Sequence, residues 1–305
     1  MKMTKILLTG ANGLLGQKLI WKLRTRDAVE LLTTGRGPNR NIVKTGYRYS
    51  ECDVTDYSSL RRIFETFKPS IVINAAAMTN VDLCEKEREL CWSVNVKAVE
   101  YLATLCRDYS ACLIHISTDF IFDGKAGPYD ERAIPAPLSI YGRSKLRSEE
   151  IVQESGVEHI LVRTVLVFGV APDGSARNVV LWAKKALEEK QKINVVNDQW
   201  RTPTLAEDLA VGIITLAMKG NRGIFNISGS EMINILDLVR RVAAFWKLDA
   251  TLINEVSSET LNLPAIRPLR TGFIILKAQT ELGYHPHSFH EGLEIVDRQL
   301  KGFFD

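Results

Sequence analysis

The stretch KILLTGANGLLG, residues 5–16, decides the fold. A short apolar run leads into Gly10, Gly13 and Gly16, and an amphipathic helical pattern follows at once. A strand, a bare loop and a helix N-terminus in this order are typical of a dinucleotide-binding site. Gly10 permits a sharp turn, Gly13 lets the main chain approach a pyrophosphate, and Gly16 lets the helix lie close to its strand. The alternative is a tight turn without a ligand.

Two patterns of hydrophobic residues alternate through the first half of the chain. Runs that are apolar on both faces predict strands, and they alternate with helical periodicity. The predicted strands are KILLTG, AVELLTTG, SIVINAAA, ACLIHIST and HILVRTVLVFG. The predicted helices are LLGQKLIWKLRTR, SLRRIFETFK, the long CEKERELCWSVNVKAVEYLATLCRDY and one beginning near Tyr141. This order predicts an α/β fold with a doubly wound parallel sheet.

The second half has a looser rhythm, and we expect it to pack over the carboxyl ends of the strands, where open α/β sheets bind ligands. It contains the helical patterns VVLWAKKALEEKQK, TPTLAEDLAVGIITLAMK and NILDLVRRVAAFWKL, and the short strand GIFNISG. The predicted domains are a dinucleotide-binding domain, residues 1–168 and 203–228, and a smaller interleaved substrate-binding domain, residues 169–202 and 229–305.

Composition excludes several functional classes. The 305 residues carry a net charge of only +3, and the basic residues are scattered, which disfavours nucleic-acid and membrane-surface binding. No apolar run is long enough to span a bilayer, and the apolar stretch near the start is too short for a signal peptide. Five cysteines without CxxC spacing favour free thiols. We therefore expect a soluble protein of the reducing cytoplasm.

Further motifs follow in chain order: CDVTD at 52–56, NAAA at 74–77 and YGRSK at 141–145. With the glycine loop, they make the chain resemble the extended short-chain dehydrogenase/reductase superfamily, whose fold is of the Rossmann type. The resemblance implies cofactor contacts at Gly10, Asn12, Gly13, Leu14, Leu15, Gly16, Arg36, Asp53, Val54, Ala75, Ala76, Ala77, Tyr141 and Lys145.

The end of the second strand bears on the choice of cofactor. An acid there typically binds the ribose 2′-hydroxyl of NAD, whereas an arginine accommodates the 2′-phosphate of NADP. The segment LLTTGRGPNR has Arg36 at about this place, Arg40 nearby and no acid. This favours NADP(H), with NAD(H) as the alternative. A second interpretation of Arg36 is a solvated loop residue.

Tyr141 and Lys145 are four residues apart and therefore share one face of a helix. A lysine ammonium about 4 Å from the phenol, at an effective dielectric constant of about 20, stabilises the phenolate by roughly 4 kcal/mol. That corresponds to about three pKa units and would bring the tyrosine close to working pH. Thr118 follows an apolar strand and is predicted to orient the substrate oxygen. Ser117 competes for this role, although the resemblance favours Thr118, and Ser-Thr-Asp is also ordinary turn chemistry.

Several longer segments resemble the dTDP-4-dehydrorhamnose reductase branch of this superfamily: NAAAMTNVDLCEKERELCWSVNV, STDFIFDG, PYDERAIPAPLSIYGRSKLRSEE, DQWRTPTLAEDLA and RPLRTG. The resemblance implies reduction of the 4-keto group of a nucleotide-linked 6-deoxyhexose, in that branch dTDP-4-dehydrorhamnose to dTDP-L-rhamnose. The implied substrate contacts are Thr118, Asp119, Asn178, Gln199, Arg201 and Arg270. A surface ion pair is the competing interpretation of the two arginines.

The sequence departs from that branch at two places near the expected sugar pocket. Leu166 stands where the family has tryptophan in RTSWVYG, and Phe120 stands where it has tyrosine in STDYVFDG. The departures leave open another nucleotide sugar and an epimerase or dehydratase relative, although Phe120 after Asp119 disfavours a dehydratase. A non-catalytic subunit like the regulatory subunit of methionine adenosyltransferase, and a homodimer, also stay open. HPHSFH fits no common zinc pattern, and we expect no metal.

Overall fold

The computed structural model describes residues 3–304, to which the following assignments refer. The strands are β1 Thr4–Thr9, β2 Val29–Gly35, β3 Arg48–Glu51, β4 Ile71–Asn74, β5 Cys112–Thr118, β6 His159–Thr164, β7 Val167–Phe168, β8 Ile193–Val196, β9 Trp200–Arg201, β10 Thr204–Leu205, β11 Gly223–Asn226, β12 Ile233–Asn234 and β13 Ile253–Val256. The α-helices are α1 Leu14–Leu23, α2 Tyr57–Phe67, α3 Val81–Lys86, α4 Arg88–Trp92, α5 Ala98–Asp108, α6 Ile140–Glu154, α7 Val179–Glu188, α8 Ala206–Lys219, α9 Ile235–Phe245, α10 Leu276–Leu282 and α11 Phe289–Leu300.

Seven strands form one parallel sheet in the order β11-β6-β5-β4-β1-β2-β3. Successive side chains of β1 enter opposite cores: Ile6 and Leu8 pack on one face, and Leu7 packs on the other. An apolar residue is needed at every position of such a strand, which is why KILLTG lacks polar alternation. The predicted doubly wound α/β fold is confirmed.

Helices cover both faces of the sheet. On one face, α1 packs against α8, and α10 adds Ala278 and Leu282 to the same core. On the other face lie α2, α5 and part of α6. Helix α2 shows why its sequence folds this way, because its buried residues recur at helical spacing and the Asp56 side chain accepts hydrogen bonds from the first-turn N–H groups of Ser58 and Ser59. The helix therefore begins at a defined residue and buries one stripe.

A third apolar core lies in the second half of the chain, between α7, α9, α11 and β8. It contains Val180, Val195, Val239 and Val296, all buried. Helix α10, by contrast, belongs to the core beneath the sheet although it falls within residues 229–305. The domain boundaries given above stay a prediction. No helix among residues 3–304 has the length and apolar character needed to cross a bilayer.

The long helix predicted from Cys84 to Tyr109 is interrupted. The backbone of Glu87 leaves the helical region between α3 and α4, and a π-helical turn, Ser93–Lys97, separates α4 from α5. Asn95 lies in this turn, where its side chain accepts from the Met78 N–H at 2.8 Å and donates to the Met78 carbonyl at 3.0 Å. These bonds satisfy the main chain of a half-buried segment after β4, and the π turn orients the Asn95 amide toward it.

Two other boundaries differ from the prediction. The run HILVRTVLVFG is divided because Leu166 has a φ of +39°, which ends β6 and lets β7 pair with β10 instead. Helix α8 begins at Ala206, not at Pro203 or Thr204, because Thr204 already belongs to β10. A β-pairing partner outside the local sequence determined both boundaries, so local periodicity did not predict them.

Candidate active site

The glycine loop between β1 and α1 is held in close contact with its surroundings. Gly10 has a φ of +74°, and a Cβ atom there would lie 2.6 Å from the main chain of Ala75. A Cβ atom on Gly16 would lie 2.1 Å from the Gly10 carbonyl oxygen. Both positions therefore require glycine, the first for the turn and the second for the approach of α1. At Gly13 the nearest atom would be at an ordinary 3.4 Å.

Gly13 is the N-cap of α1, and no side chain caps the helix. The first turn also contains no acidic residue. Its N–H groups and the positive end of the helix dipole therefore favour an anion at this point. Gly13, Leu14 and Leu15 line a cavity of about 540 Å³. A dinucleotide diphosphate fits these features, because a bare backbone can approach it without a β-carbon between them.

The cavity lies at the carboxyl ends of β1, β4, β5 and β6, where the strand order reverses between β1 and β4. Many predicted site residues share it. Its lining includes Gly13, Leu14, Leu15, Gly16, Ala75, Ala76, Ala77, Ser117, Thr118, Asp119, Phe120, Tyr141, Lys145, Leu166, Arg177, Arg201 and Arg267. The predicted catalytic group and the glycine loop thus meet in one space.

The three predicted catalytic residues come from two elements and are all buried. Thr118 ends β5, and Tyr141 and Lys145 lie one turn apart on α6, whose first turn is capped by the Ser139 hydroxyl. The Tyr141 ring packs edge-on against Phe120, with 5.6 Å between centroids. The Tyr141 phenol and the Thr118 hydroxyl are hydrogen-bonded, and both residues line the cavity.

The protonation of Tyr141 differs from the expectation. Burial raises the pKa of the phenol above its usual value, and the Asp119 carboxylate adds to this, whereas hydrogen bonding with Thr118 lowers it in part. Lys145 does not hold this pKa down as expected. Its Nζ lies 3.0 Å from His115 Nε2, and burial lowers the pKa of Lys145 to about 8. Desolvation of both groups outweighs the attraction on which the sequence argument depended.

Ser117, the alternative to Thr118, is also buried and lines the cavity. Its hydroxyl has no hydrogen-bond partner, whereas the Thr118 hydroxyl donates to Asp119 Oδ1 at 3.2 Å. A buried hydroxyl that finds no partner in the protein is available to a ligand. Geometry alone therefore leaves both residues as candidates to orient a substrate oxygen.

Asp119 and Arg201 form a buried ion pair at one wall of the cavity, with 3.4 Å between Oδ2 and Nε. Burial raises the pKa of Asp119, and the Arg201 charge opposes that rise. Thr271 donates a hydrogen bond to the same carboxylate. Arg201 also donates to the carbonyl of Pro268 at 2.7 Å. Both residues are thus largely occupied by protein partners, and the pair is not the surface contact considered above.

Other predicted residues lie outside this cavity. Asn178 caps α7 and donates to the Gly169 carbonyl at 2.8 Å, and its neighbour Arg177 reaches the cavity wall instead. Gln199 lines a second cavity of about 740 Å³. Arg270 donates to the Gly127 carbonyl at 3.0 Å and lies over the Trp200 ring.

The residues predicted to contact the adenosine end of the cofactor lie outside the cavity. Asn12 donates to the carbonyls of Arg36 and Pro38 and fixes the loop after β2, and Arg36 itself is exposed. The Asp53 side chain accepts from the N–H and hydroxyl of Thr55, next to the buried Val54. None of Asn12, Arg36, Asp53 and Val54 lines the cavity, although they lie along the loops that continue from it.

Family membership follows from the whole chain. Residues 3–301 match the family described as the RmlD substrate binding domain. The chain belongs to this family. A dTDP-4-dehydrorhamnose reductase of Aggregatibacter actinomycetemcomitans is 30% identical over 96% of this chain and 98% of its own length. The solved dTDP-4-dehydrorhamnose reductase from Bacillus anthracis in complex with NADP has a TM-score of 0.84 and 28% identity over 98% of this chain and 100% of its own.

This chain is also similar to the methionine adenosyltransferase 2 subunit beta of Xenopus laevis, which is 28% identical over 84% of this chain and 76% of its own length. The predicted resemblance to the dTDP-4-dehydrorhamnose reductase branch is confirmed. The relatives of this chain therefore include both reductases and a subunit of methionine adenosyltransferase, so the residues of the site must decide between these functions.

Three residues in or near the site were not predicted from the sequence. Arg267 lines both cavities and pairs with Asp82 at 2.6 Å. Arg267 lies in the same RPLRTG segment as Arg270, so this motif could have predicted it as a binding residue. His115 precedes the STD motif within a buried strand. Glu51 accepts from the Gly37 N–H at 3.1 Å and brings an acid to the loop after β2 from a neighbouring strand.

Two of the three histidines of HPHSFH, His287 and His290, are engaged in protein contacts. His287 Nδ1 lies 2.7 Å from Asp208 Oδ1, and His290 lies 3.6 Å from Glu294. Within residues 3–304, no group of three potential ligand side chains is arranged to hold a metal ion.

Proposed function

We propose that this protein reduces the 4-keto group of a nucleotide-linked 6-deoxyhexose with NADPH. Our preferred reaction is dTDP-4-dehydrorhamnose to dTDP-L-rhamnose. One observation carries the proposal: Thr118, Tyr141 and Lys145 lie in the same cavity as an uncapped helix N-terminus suited to a diphosphate. Binding and acid–base groups in one space form a catalytic constellation, whereas a binding subunit needs only the first.

The residues divide the work between holding the cofactor and moving a proton. The loop from Gly10 to Gly16 and the chain at 75–77 would hold NADPH, which supplies the hydride when bound. Tyr141 donates its phenolic proton to the carbonyl oxygen as that oxygen gains charge. Thr118 orients the oxygen, and Lys145 binds the nicotinamide ribose. Its ammonium then stabilises the phenolate that remains.

The nucleotide part of the substrate is proposed to extend into the second cavity. That cavity shares Arg267 with the first and also contains Lys125, Gln199 and Ser258. An arginine offers a planar pair of donors to a diphosphate, and a lysine adds charge. The substrate would therefore reach past Arg267, with its sugar near Thr118.

NADPH is the proposed donor, with NADH as the alternative. Arg36 is exposed at the end of β2, where it can accept a 2′-phosphate. The nearby Glu51 carboxylate opposes this preference by adding negative charge. The proposed place of action is the cytoplasm, since all five cysteines are free thiols. A homodimer stays a prediction, which sedimentation analysis would test.

The direct test combines purified protein with NADPH and dTDP-4-keto-6-deoxyglucose, with and without a 3,5-epimerase. Loss of the nicotinamide absorbance together with formation of dTDP-L-rhamnose only in the presence of the epimerase supports the preferred reaction. Oxidation without the epimerase indicates a different 4-keto sugar. Binding of NADPH without any oxidation supports the second candidate, a regulatory subunit, which the 28% identity to a methionine adenosyltransferase subunit favours.

A further inference from the structure

A chain of buried polar side chains lies behind the cavity, between β1 and α6. Thr9 Oγ1 donates to Asn74 Oδ1 at 2.6 Å, and Asn74 Nδ2 lies 3.1 Å from His115 Nδ1. On the other side of the ring, His115 Nε2 lies 2.9 Å from Ser148 Oγ and 3.0 Å from Lys145 Nζ. These hydrogen-bonded side chains therefore connect β1, the strand that precedes the glycine loop, with Lys145 of the proposed active site.

The hydrogen bonds determine the tautomer of His115. Asn74 Oδ1 accepts from Thr9 and from the Ala76 N–H, so the Asn74 amide nitrogen faces Nδ1 and donates to it. Nδ1 thus carries the lone pair, and the proton of the neutral ring lies on Nε2. Ser148 donates its own hydroxyl proton to the Lys145 carbonyl at 2.7 Å and can accept from Nε2–H.

This tautomer restricts the protonation of Lys145. An ammonium group has donors only, so a charged Lys145 would point an N–H at the N–H of His115. A neutral amine has a lone pair that accepts from Nε2–H. The contact of 3.0 Å therefore suits an uncharged Lys145. Burial lowers the pKa of both groups, to about 8 for Lys145 and well below its usual value for His115, so both partners are neutral above about pH 8.

We propose that His115 is a positioning residue that holds Lys145 as a neutral amine in the free protein at mildly alkaline pH and releases it, with uptake of one proton, when NADPH binds. The inference rests on the proposed function, because it assigns Lys145 to the cofactor ribose. On release, the Lys145 amine takes a proton from solvent, and His115 Nε2–H donates to Ser148 alone. No bond to carbon forms or breaks in this step.

Other groups around the amine must be considered. The titratable side chains that face Lys145 are His115 of β5, Cys91 of α4, and Tyr141 and Glu149 of its own helix. Glu149 favours the ammonium form, but Arg163 of β6 pairs with it at 2.7 Å. Hydrogen bonding with Cys84, Ser144 and Asn95 lowers the pKa of the Cys91 thiol to about 7, so it can titrate in a similar range.

The proposal predicts how the affinity for NADPH changes with pH. Below the pKa of free Lys145, the lysine is already charged, and binding takes up no proton. Above it, the free lysine is neutral and the bound lysine is charged, so each further pH unit weakens binding up to about tenfold. The dissociation constant should therefore be flat at neutral pH and begin to rise near pH 8.

The test measures the dissociation constant of NADPH by fluorescence titration from about pH 7 to about pH 10, a range that spans the lowered and the ordinary lysine pKa. In His115→Gln, a side-chain carbonyl can accept from the ammonium, so the onset should move up by about one pH unit or more. In Ser148→Ala, Nε2–H is left with Lys145 as its acceptor, so the onset should move down. In Cys91→Ala the onset should persist and move slightly down, because Cys91 favours the ammonium form of Lys145.

The two substitutions move the onset in opposite directions, which a packing role would not do. If His115→Gln weakens binding by the same factor at every pH, the proposal is overturned. Ser148→Ala decides the matter if His115→Gln does not fold. A wild-type dissociation constant that is independent of pH refutes this inference and leaves the reductase proposal intact. Failure of the wild-type protein to bind NADPH refutes both.

Discussion

Substituting alanine at two glycines of the loop separates the fold from the cofactor site. At Gly16 the new Cβ atom would lie 2.1 Å from the Gly10 carbonyl oxygen and 2.9 Å from Ala11 Cα. Both are main-chain atoms and cannot move aside as a flexible side chain would. Alanine favours a helix by up to about 1 kcal/mol over glycine. Overpacking costs about 1–3 kcal/mol or more, so Gly16→Ala should lose stability overall.

Gly13→Ala is the matched control for stability. Its Cβ atom would meet only the Gly10 carbonyl oxygen, at 3.4 Å, and the φ of −81° suits alanine. We expect its unfolding free energy to stay within about 0.5 kcal/mol of wild type, since the weaker N-cap offsets the lower entropy of the unfolded chain. The methyl group would nevertheless stand between the helix N-terminus and a diphosphate, and NADPH should bind at least about tenfold more weakly.

Denaturant unfolding followed by circular dichroism gives the stabilities, and fluorescence titration gives the dissociation constants. Gly16→Ala should lower both stability and affinity, and Gly13→Ala only the affinity. If Gly13→Ala binds NADPH as well as wild type, the loop does not hold the diphosphate. If Gly16→Ala unfolds at the wild-type midpoint, α1 does not depend on the close contact described above.

Four further substitutions test other parts of the site. Tyr141→Phe removes the proton donor but little volume, so kcat should fall by about 10²–10⁴-fold while the dissociation constant of NADPH stays within about twofold. Stopped-flow kinetics and binding titrations measure these two quantities. Unchanged turnover would exclude Tyr141 as the acid. Asp119→Asn leaves the buried charge of Arg201 without its partner, so the free energy of unfolding measured with denaturant should fall by about 3 kcal/mol. Unchanged stability would show that hydrogen bonds, and not the charge of Asp119, stabilise this side of the cavity. Arg36→Ala should raise KM for NADPH about tenfold and leave KM for NADH unchanged, and equal effects on both would remove the 2′-phosphate role. Arg267→Ala should raise KM for the nucleotide sugar with little change in NADPH binding, and an effect on NADPH alone would contradict the proposed path of the substrate.

The sequence predicted those features that depend on local chemistry. The three successive apolar residues ILL of KILLTG predicted a strand buried on both faces, and the glycine spacing reflects distances that the structure gives at Gly10 and Gly16. The separation of four residues between Tyr141 and Lys145 predicted a shared helical face, and both line the cavity.

Features that depend on distant partners could not be predicted in this way. Glu51 approaches the loop after β2 because β3 pairs with β2, and the break at Leu166 accompanies pairing of β7 with β10. The π turn at Asn95 satisfies the Met78 segment, which lies 17 residues earlier in the chain. The pKa of Tyr141 also belongs to this class, because desolvation depends on everything that surrounds the ring.

The raised pKa of Tyr141 bears on the direction of the reaction. A phenol that donates a proton must carry it beforehand, and burial together with Asp119 keeps Tyr141 protonated at neutral pH. Oxidation of an alcohol would instead need the phenolate at the start, which the same surroundings disfavour. Stabilising the phenolate after proton transfer then falls to Thr118 and to a charged Lys145, whose amine contacts His115 in the structure. A phenol that is protonated before turnover, beside a lysine whose charge stabilises the phenolate in the complex, is suited to reduction, because the transferred proton leaves a stabilised anion behind.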